Sequence, residues 1–234
     1  MREILVLADA DELPGVLDIF HRAAPDAPVR GVSDADALDL ATTEPPDDLR
    51  LVAFCTGVIV PTAVLDRLAG PAYNLHPGPP QARGIYPAVF ALYHGLQRYG
   101  ATLHELTPAV DSGPIVAVDY ADIAPEMDRL ALEILARRLV TGLLARMVGP
   151  LVHSDGPLSH DGEEWSGPAW TRKDFEALCH LPDDVDAAEF DRRLRAVGEG
   201  PDHALNFRRF GRRFDLAPRA DAGPVVKGGR PITD

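Results

Sequence analysis

Only two cysteines, Cys55 and Cys179, occur in 234 residues, too few for a disulfide framework and in keeping with a reducing compartment. No apolar run approaches the roughly 18 residues that a membrane span needs. The opening MREILVLAD turns acidic at once and has neither the apolar stretch nor the cleavage site of a secretory leader, so the expected location is cytoplasmic, with no membrane partner. No G-x-G-x-x-G follows the first apolar run, which disfavours a nicotinamide-dependent dehydrogenase. Basic charge is scarce as well: Lys and Arg number 23 against 36 Asp and Glu, a formal net charge of −13. The deficit lies in residues 1–170, with 11 basic against 24 acidic side chains, whereas 171–234 holds 12 of each. Nucleic acid is bound by cations that displace its counterions. The expectation is therefore no nucleic-acid partner and a small ligand held in a cleft.

Apolar residues make up 46% and charged residues 25%, the profile of an ordinary globular chain. A chain this long buries roughly 70% of its unfolded surface and needs no metal or disulfide staple. Short apolar runs alternate with helical patterns. Strands are expected over 3–8, 28–33, 49–55, 72–76, 100–106 and 114–123. Helices are expected over 13–24, 35–41, 61–70, 87–94 and, as the longest, 126–149, where Leu130, Ile134, Leu135, Leu139, Leu143 and Leu144 recur at helical spacing. Pro61 and Gly70 read as start and stop of the third helix. The alternation predicts an α/β fold, a doubly wound, mostly parallel sheet covered on both faces. After Pro150 the texture changes to Gly, Asp, Ser and Pro. We therefore expect a main domain over 1–150 and a small, mostly β C-terminal appendage over 151–234, made of loops, a short helix near 187–196 and a hairpin about Gly211 with Phe207 and Phe214 turned inward. The last run, PVVKGGRPITD, reads as a short strand or a tail.

The run YNLHPGPPQARGIYP (73–87) puts Asn74 and His76 two apart at the end of a short strand, hence on the same side of it. Pro77, Gly78, Pro79 and Pro80 then restrict the exit path. A histidine at a strand end is commonly just a hydrogen-bonded structural residue, but in parallel sheets ligands sit beyond the carboxyl ends of strands. The second piece is GATLHELTPAVDSGPIVA, a strand with His104 leading into a turn with Asp111, Ser112 and Gly113. An Asp before a Gly usually forms a turn. Placed at the same sheet edge as Asn74 and His76, it completes a different set: an oxyanion donor, a proton-transfer group and a carboxylate to orient it.

Taken together, N-L-H-P (74–77), R-G (83–84), Y-H-G (93–95), G-A-T-L-H (100–104) and D-S-G-P-I (111–115), preceded by GVIVPTAVLDRL (57–68), resemble the folate-dependent formyltransferases. The likeness runs from about residue 50 to 123 in matching order. It implies a Rossmann-like core and transfer of a formyl group from 10-formyltetrahydrofolate to an amine, without a metal. It implies that Asn74 steadies the oxyanion, that His76 stabilises the intermediate and moves a proton, and that Asp111 fixes His76. Backbone groups of Gly57, Val58, Ile59 and Val60, and of Val110, Ser112 and Gly113, would hold the pterin. His104 matches a histidine of some members, either beside the substrate or as a satisfied core residue.

Departures from the family narrow the acceptor. Where the glycinamide-ribonucleotide members cradle a phosphate, this chain has Asp9, Asp11 and Glu12, which repel one. The initiator-tRNA members carry a long basic C-terminal extension and the hydrolytic members a regulatory domain, and neither pattern is expected here. The YNLHPGPP form, and TRKDF (171–175) after Trp170, resemble members that formylate sugar nucleotides such as a dTDP-4-amino-4,6-dideoxy sugar. Another small amine or hydroxylamine, and a non-catalytic folate-binding homologue, are the alternatives. Of the cations that could meet a pyrophosphate, Arg83 has the best position; Arg208, Arg209, Arg212 and Arg213 read first as a solvated hairpin face. Tyr86, Trp165 and Trp170 could stack on a base or sugar, although aromatics more often anchor cores. His153, Asp155, His160 and Asp161 have turn surroundings rather than metal-ligand spacing. The family's habit implies a homodimer through the C-terminal hairpin.

Overall fold

Ile4, Leu5, Val6, Leu7 and Ala8 are all fully buried, as the residues of a strand covered on both faces are. In the computed structural model, which describes residues 2–199 and 204–217, they form β1 (Ile4–Ala8). Together with β2 (Val29–Val32), β3 (Arg50–Phe54) and β4 (Tyr73–His76) it makes the parallel run β2-β1-β3-β4. The crossovers contain α1 (Leu13–Ala23), α2 (Ala35–Ala41) and α3 (Thr62–Leu65). A two-residue β5 (Arg83–Gly84) and α4 (Pro87–Tyr93) then lead to β6 (Arg98–Glu105) and β7 (Ile115–Asp122), which add antiparallel strands to give one six-stranded sheet, β2-β1-β3-β4-β6-β7.

One face packs on α1 and on α5 (Arg129–His153), with Phe20, Val140, Leu144 and Val148 against Val6, Phe54, Leu75 and Leu103. On the other face Leu38 of α2 and Val64 of α3 cover Leu5, Leu7, Leu51 and Ala53. The strand register carries that second face onward from Ala53 to Asn74 and from Asn74 to His104. There the sheet turns polar, with Asn74, His76, Thr102 and His104 side by side, and loops rather than a helix lie over it.

Two helices depart from expectation. The third is only Thr62–Leu65, continuing as i,i+3 turns from Val64 O to Arg67 N and from Leu65 O to Leu68 N. The longest runs through Pro150 to His153 instead of stopping at 149. Proline removes one helical hydrogen bond, but continuing buries Leu151 and Val152 completely. The nearby carbonyls are also supplied with donors: the buried Arg50 guanidinium reaches Leu151 O at 2.6 Å and Gly156 O at 2.8 Å, and Arg2 Nε reaches Ser154 O at 2.9 Å.

Beyond α5, β8 (Ala169–Trp170) pairs with β5, and α6 (Arg172–Cys179) and α7 (Ala187–Val197) pack on α4 through Phe90, Phe175, Leu178 and Val197. A hairpin of β9 (Asn206–Arg209) and β10 (Arg212–Asp215) follows. The C-terminal segment thus carries two helices besides its hairpin. Phe207 and Phe214, expected to turn inward, stack on each other at 5.2 Å and each stay 42% exposed. The PVVKGGRPITD run lies outside the described residues. Among the described residues no helix is long and apolar enough to cross a membrane.

Candidate active site

The turn after β4 answers why prolines crowd there. Pro77 O accepts from the Tyr99 hydroxyl at 2.5 Å, Gly78 O from Thr102 Oγ1 at 2.8 Å, and Pro79 O from Ala82 N at 2.9 Å. The chain doubles back so that Ala82 O lies 2.9 Å from His76 Nε2. A carbonyl only accepts, so Nε2 carries the proton and Nδ1 is the nitrogen left to react. Gly78 is pressed into this fold: a Cβ there would sit 2.4 Å from His76 Nε2 and 2.6 Å from Pro87 Cβ.

Asp111 arrives by a route other than the one expected. Because β6 runs antiparallel to β4, its end lies beside the start of β4, where Leu106 N donates to Ala72 O at 2.7 Å. The 106–114 loop therefore leaves from the opposite end of β4 and folds back over the polar face. Its base is tight: a Cβ on Gly113 would be 2.0 Å from Glu105 O. Ser112 Oγ bonds Ala109 O and Thr107 Oγ1, and Asp111 itself takes the left-handed φ of 42°.

The loop brings Asp111 Oδ2 to 3.5 Å from His76 Nδ1, and Oδ1 to 3.3 Å from His104 Nε2. Oδ2 also accepts the Gly84 N–H at 2.7 Å. His104, on β6 directly opposite Asn74, has Nδ1 2.8 Å from Glu105 O, so by the same logic Nδ1 holds its proton. Its Nε2 then takes an N–H from Asn74 Nδ2 at 3.1 Å. One hydrogen of the Asn74 amide is committed to His104, and among the described residues none accepts the other. Trp165 closes the group from above, edge-on to His104 at 4.9 Å and to His76 at 6.0 Å, with its Nε1–H on Gly113 O at 2.7 Å.

Electrostatics follow from this crowding. Burial pushes the Asp111 carboxyl up, but His76, His104 and the Gly84 N–H outweigh it and bring it down to about 2. Burial lowers the His76 imidazole below its ordinary range, with Asp111 pulling the other way. The cluster thus sets the Asp111 carboxylate against the His76 Nδ1, an arrangement that gains when that imidazole takes up a proton.

Asn74, His76, His104 and Asp111 are therefore brought together. Gly57, Val58, Ile59 and Val60 follow β3, whose last residues lie beside Leu75, so they leave the sheet at the end where His76 stands; Ile59 is exposed and Val60 buried. Val110 is exposed at the loop tip. Tyr86, at φ 51°, lays its ring on Phe175 at 4.2 Å. Arg83 points its guanidinium at backbone carbonyls rather than outward. The hairpin arginines Arg208, Arg209, Arg212 and Arg213 are exposed. Among the described residues no group of three or more His, Cys, Asp or Glu could hold a metal. Sequence reasoning missed Gly84 as a donor to Asp111 and the place of Trp165 against both histidines. A cavity of about 300 Å³ beside the motif turn is lined by Ala82, Phe90, His94, Pro168 and Trp170, with Trp170 stacked on Phe90 at 4.3 Å.

Against known proteins, the family model described as formyl transferase matches residues 21–141. A methionyl-tRNA formyltransferase of Parafrankia sp. is 32% identical over 214 residues, covering 87% of this chain and 65% of its own. The chain spans about half to two-thirds of the length of the methionyl-tRNA formyltransferases that it matches. A sugar N-formyltransferase from Shewanella sp. superposes with a TM-score of 0.72 at 19% identity, over 93% of this chain and 97% of that one. An N-formyltransferase from Helicobacter canadensis, solved with folinic acid and dTDP-3-aminofucose, does so at 0.65 and 13%, over 84% and 80%. At these identities the structural likeness establishes the fold.

Proposed function

Since the chain belongs to the formyl transferase family, we propose that it transfers a formyl group from 10-formyltetrahydrofolate to the amine of an amino-sugar nucleotide. The observation that carries this reading is the convergence of an amide, two imidazoles and a carboxylate within 3.5 Å contacts of one another. The residues present fit a folate: Ile59 and Val110 offer exposed apolar surface on the two segments concerned, and backbone groups of residues 57–60 and 110–113 would hold the pterin. The folate supplies an activated formyl carbon. The uncommitted N–H of Asn74 stabilises the negative charge that develops on the formyl oxygen as the amine attacks. His76 takes the amine proton at Nδ1, and Asp111 stabilises the imidazolium so formed. That proton then leaves with the departing nitrogen, so the cluster ends as it began. His104 acts on Asn74 rather than on the substrate.

The acceptor is the finer part of the proposal. The net charge of −13 disfavours a phosphate-rich macromolecule, whereas a sugar nucleotide presents one pyrophosphate. The fold match over nearly the full length of a sugar N-formyltransferase is in keeping with that choice. The sequence relatives favour a second reading, methionyl-tRNA as acceptor. Incubation with 10-formyltetrahydrofolate and, separately, a panel of amino-sugar nucleotides, methionyl-tRNA or no acceptor tests both. Tetrahydrofolate release together with a formylated sugar nucleotide is expected. Formylated methionyl-tRNA would replace the acceptor, and release without any acceptor would replace transfer by hydrolysis. A homodimer built on the exposed Phe207 and Phe214 face of the hairpin belongs to the same proposal.

A further inference from the structure

A non-glycine residue is disfavoured in the left-handed region, and such strain persists only where the surroundings over-determine it. Asp111 is such a residue, and two consecutive residues of β5 hold it from both ends. The Gly84 N–H takes its carboxylate at 2.7 Å. Arg83 Nε takes its carbonyl at 2.6 Å, and Nη2 takes the preceding carbonyl, Val110 O, at 3.1 Å. Nη1 faces Gly167 O at 3.5 Å, and the guanidinium lies 5.8 Å from the Trp165 ring centroid. Arg83 is itself anchored, because β5 pairs with β8 and Ile85 N donates to Trp170 O at 3.0 Å.

We propose that Arg83 is a positioning residue: its guanidinium clamps the carbonyls of Val110 and Asp111, and thereby holds the Asp111 carboxylate against His76 and His104. This rests on the reading of Asn74, His76 and Asp111 as the transfer site, and it replaces the pyrophosphate contact that the sequence alone suggested for Arg83. A planar fork can hold two neighbouring carbonyls and still face a third; a lysine ammonium is a point charge and cannot. Released from the clamp, the 110–111 peptide relaxes out of the left-handed region and carries the carboxylate away from both imidazoles.

The test uses Arg83→Met and Arg83→Lys, steady-state kinetics with the acceptor, and the His76 titration followed by NMR of labelled histidine. The charged or titratable groups facing His76 are Asp111 from its loop, His104 from β6 and Arg83 from β5. Deleting a cation alone would raise the His76 pKa, whereas losing the nearby carboxylate lowers it, so the sign separates the two roles. Arg83→Met is expected to lower the His76 pKa and to cut kcat by about 100-fold, the usual cost of ångström-scale misplacement, with the acceptor KM held within about threefold. Arg83→Lys keeps the charge and guards against a Met variant that fails to fold; it should lower the His76 pKa in the same direction by less. A raised His76 pKa in the Met variant, or a wild-type titration in the Lys variant, would overturn the proposal, as would a rise in acceptor KM of about tenfold at unchanged kcat. If the wild-type protein formylates nothing, the functional reading falls, and the histidine titrations still decide whether Arg83 places Asp111.

Discussion

The backbone N–H of Gly84 donates to Asp111 Oδ2 at 2.7 Å, so a two-residue strand next to the motif turn holds the carboxylate that both histidines face. The cluster is thus assembled from β4, β6 and two loops. The loops are held by the sheet and by one another, which suits a site where small displacements are costly. Each group can be removed singly with a distinct consequence.

Asn74→Ala removes the donor to the developing oxyanion. Loss of such a donor typically costs about 100- to 1000-fold in kcat. The side chain is only partly buried, so the melting temperature should change little and binding of a non-transferable folate analogue should persist. Turnover within about threefold of wild type would show that the protein binds folate without using Asn74 chemically.

His104→Leu tests the second imidazole. His104 is 1% exposed and its Nε2 is the partner of the Asn74 amide. Without it the amide is free to rotate and a half-buried N–H loses its acceptor, a penalty of about 1–3 kcal/mol. Turnover is expected to fall roughly tenfold through Asn74, and the Asn74→Ala, His104→Leu double variant should be no slower than Asn74→Ala alone. Additive losses would mean that His104 acts by a route other than Asn74, through Asp111 at 3.3 Å or on the reacting groups themselves.

Acid should weaken both activity and fold, for related reasons. His76 must be neutral to accept a proton and is lowered from its ordinary range by burial. The acid limb of kcat/KM is therefore expected below pH 6.5, as an apparent value of the coupled cluster. The Asp111 carboxyl stands at about 2 in the folded protein, against 3.8 for an ordinary one. The folded state thus binds fewer protons than the unfolded chain between those values, so this contribution is complete above about pH 5 and lost as pH falls toward 2. The shift amounts to roughly 2 kcal/mol. Urea unfolding at pH 5, 4, 3 and 2.5 should show the gap between wild type and Asp111→Asn closing by about that much, and a constant gap would mean that the carboxyl titrates normally.

Much of this was legible from residue order. Asn74 and His76 share a side because side chains alternate along a strand, and the short apolar runs 3–8 and 49–55 read as strands. The partner of Asn74 was not legible: that His104 lies opposite depends on the register of β4 with β6, which no local pattern encodes. Nor was the approach of Asp111 over the sheet face, since the antiparallel direction of β6 is a property of the assembled sheet. Pro150 read as a stop because its cost is local, whereas the burial of Leu151 and Val152 and the donors of Arg50 that offset it come from the opposite end of the chain or from the sheet.

Arg50→Met tests that last point away from the site. Arg50 is 2% exposed and supplies Leu151 O, Gly156 O, Ser154 O and Pro150 O. Methionine fills similar volume but takes the guanidinium from Leu151 O and Gly156 O, while Ser154 O keeps Arg2 Nε and Pro150 O keeps the Ser154 N–H, so stability should drop by about 1–3 kcal/mol. The kcat of the folded variant should stay near wild type, since none of these groups touches the cluster. Unchanged stability would mean that water satisfies the end of α5.

Gly78→Ala probes what the prolines hold in place. A methyl there meets His76 Nε2 at 2.4 Å, Pro87 Cβ at 2.6 Å and Ala82 O at 3.0 Å. Pro87 opens α4 and cannot yield easily, so the imidazole and the Ala82 carbonyl must. The turn strains by about 1–3 kcal/mol, and the bond that sets the His76 tautomer is the one that breaks. Gly70→Ala, where a methyl meets nothing within 4 Å, is the control for a loop alanine. The expected signature is a loss of kcat larger than the modest drop in melting temperature would suggest, with the His76 titration displaced from wild type. Equal behaviour of Gly78→Ala and Gly70→Ala in both measurements would show that the turn adapts freely, and would leave the crowding of prolines after His76 without a mechanical purpose.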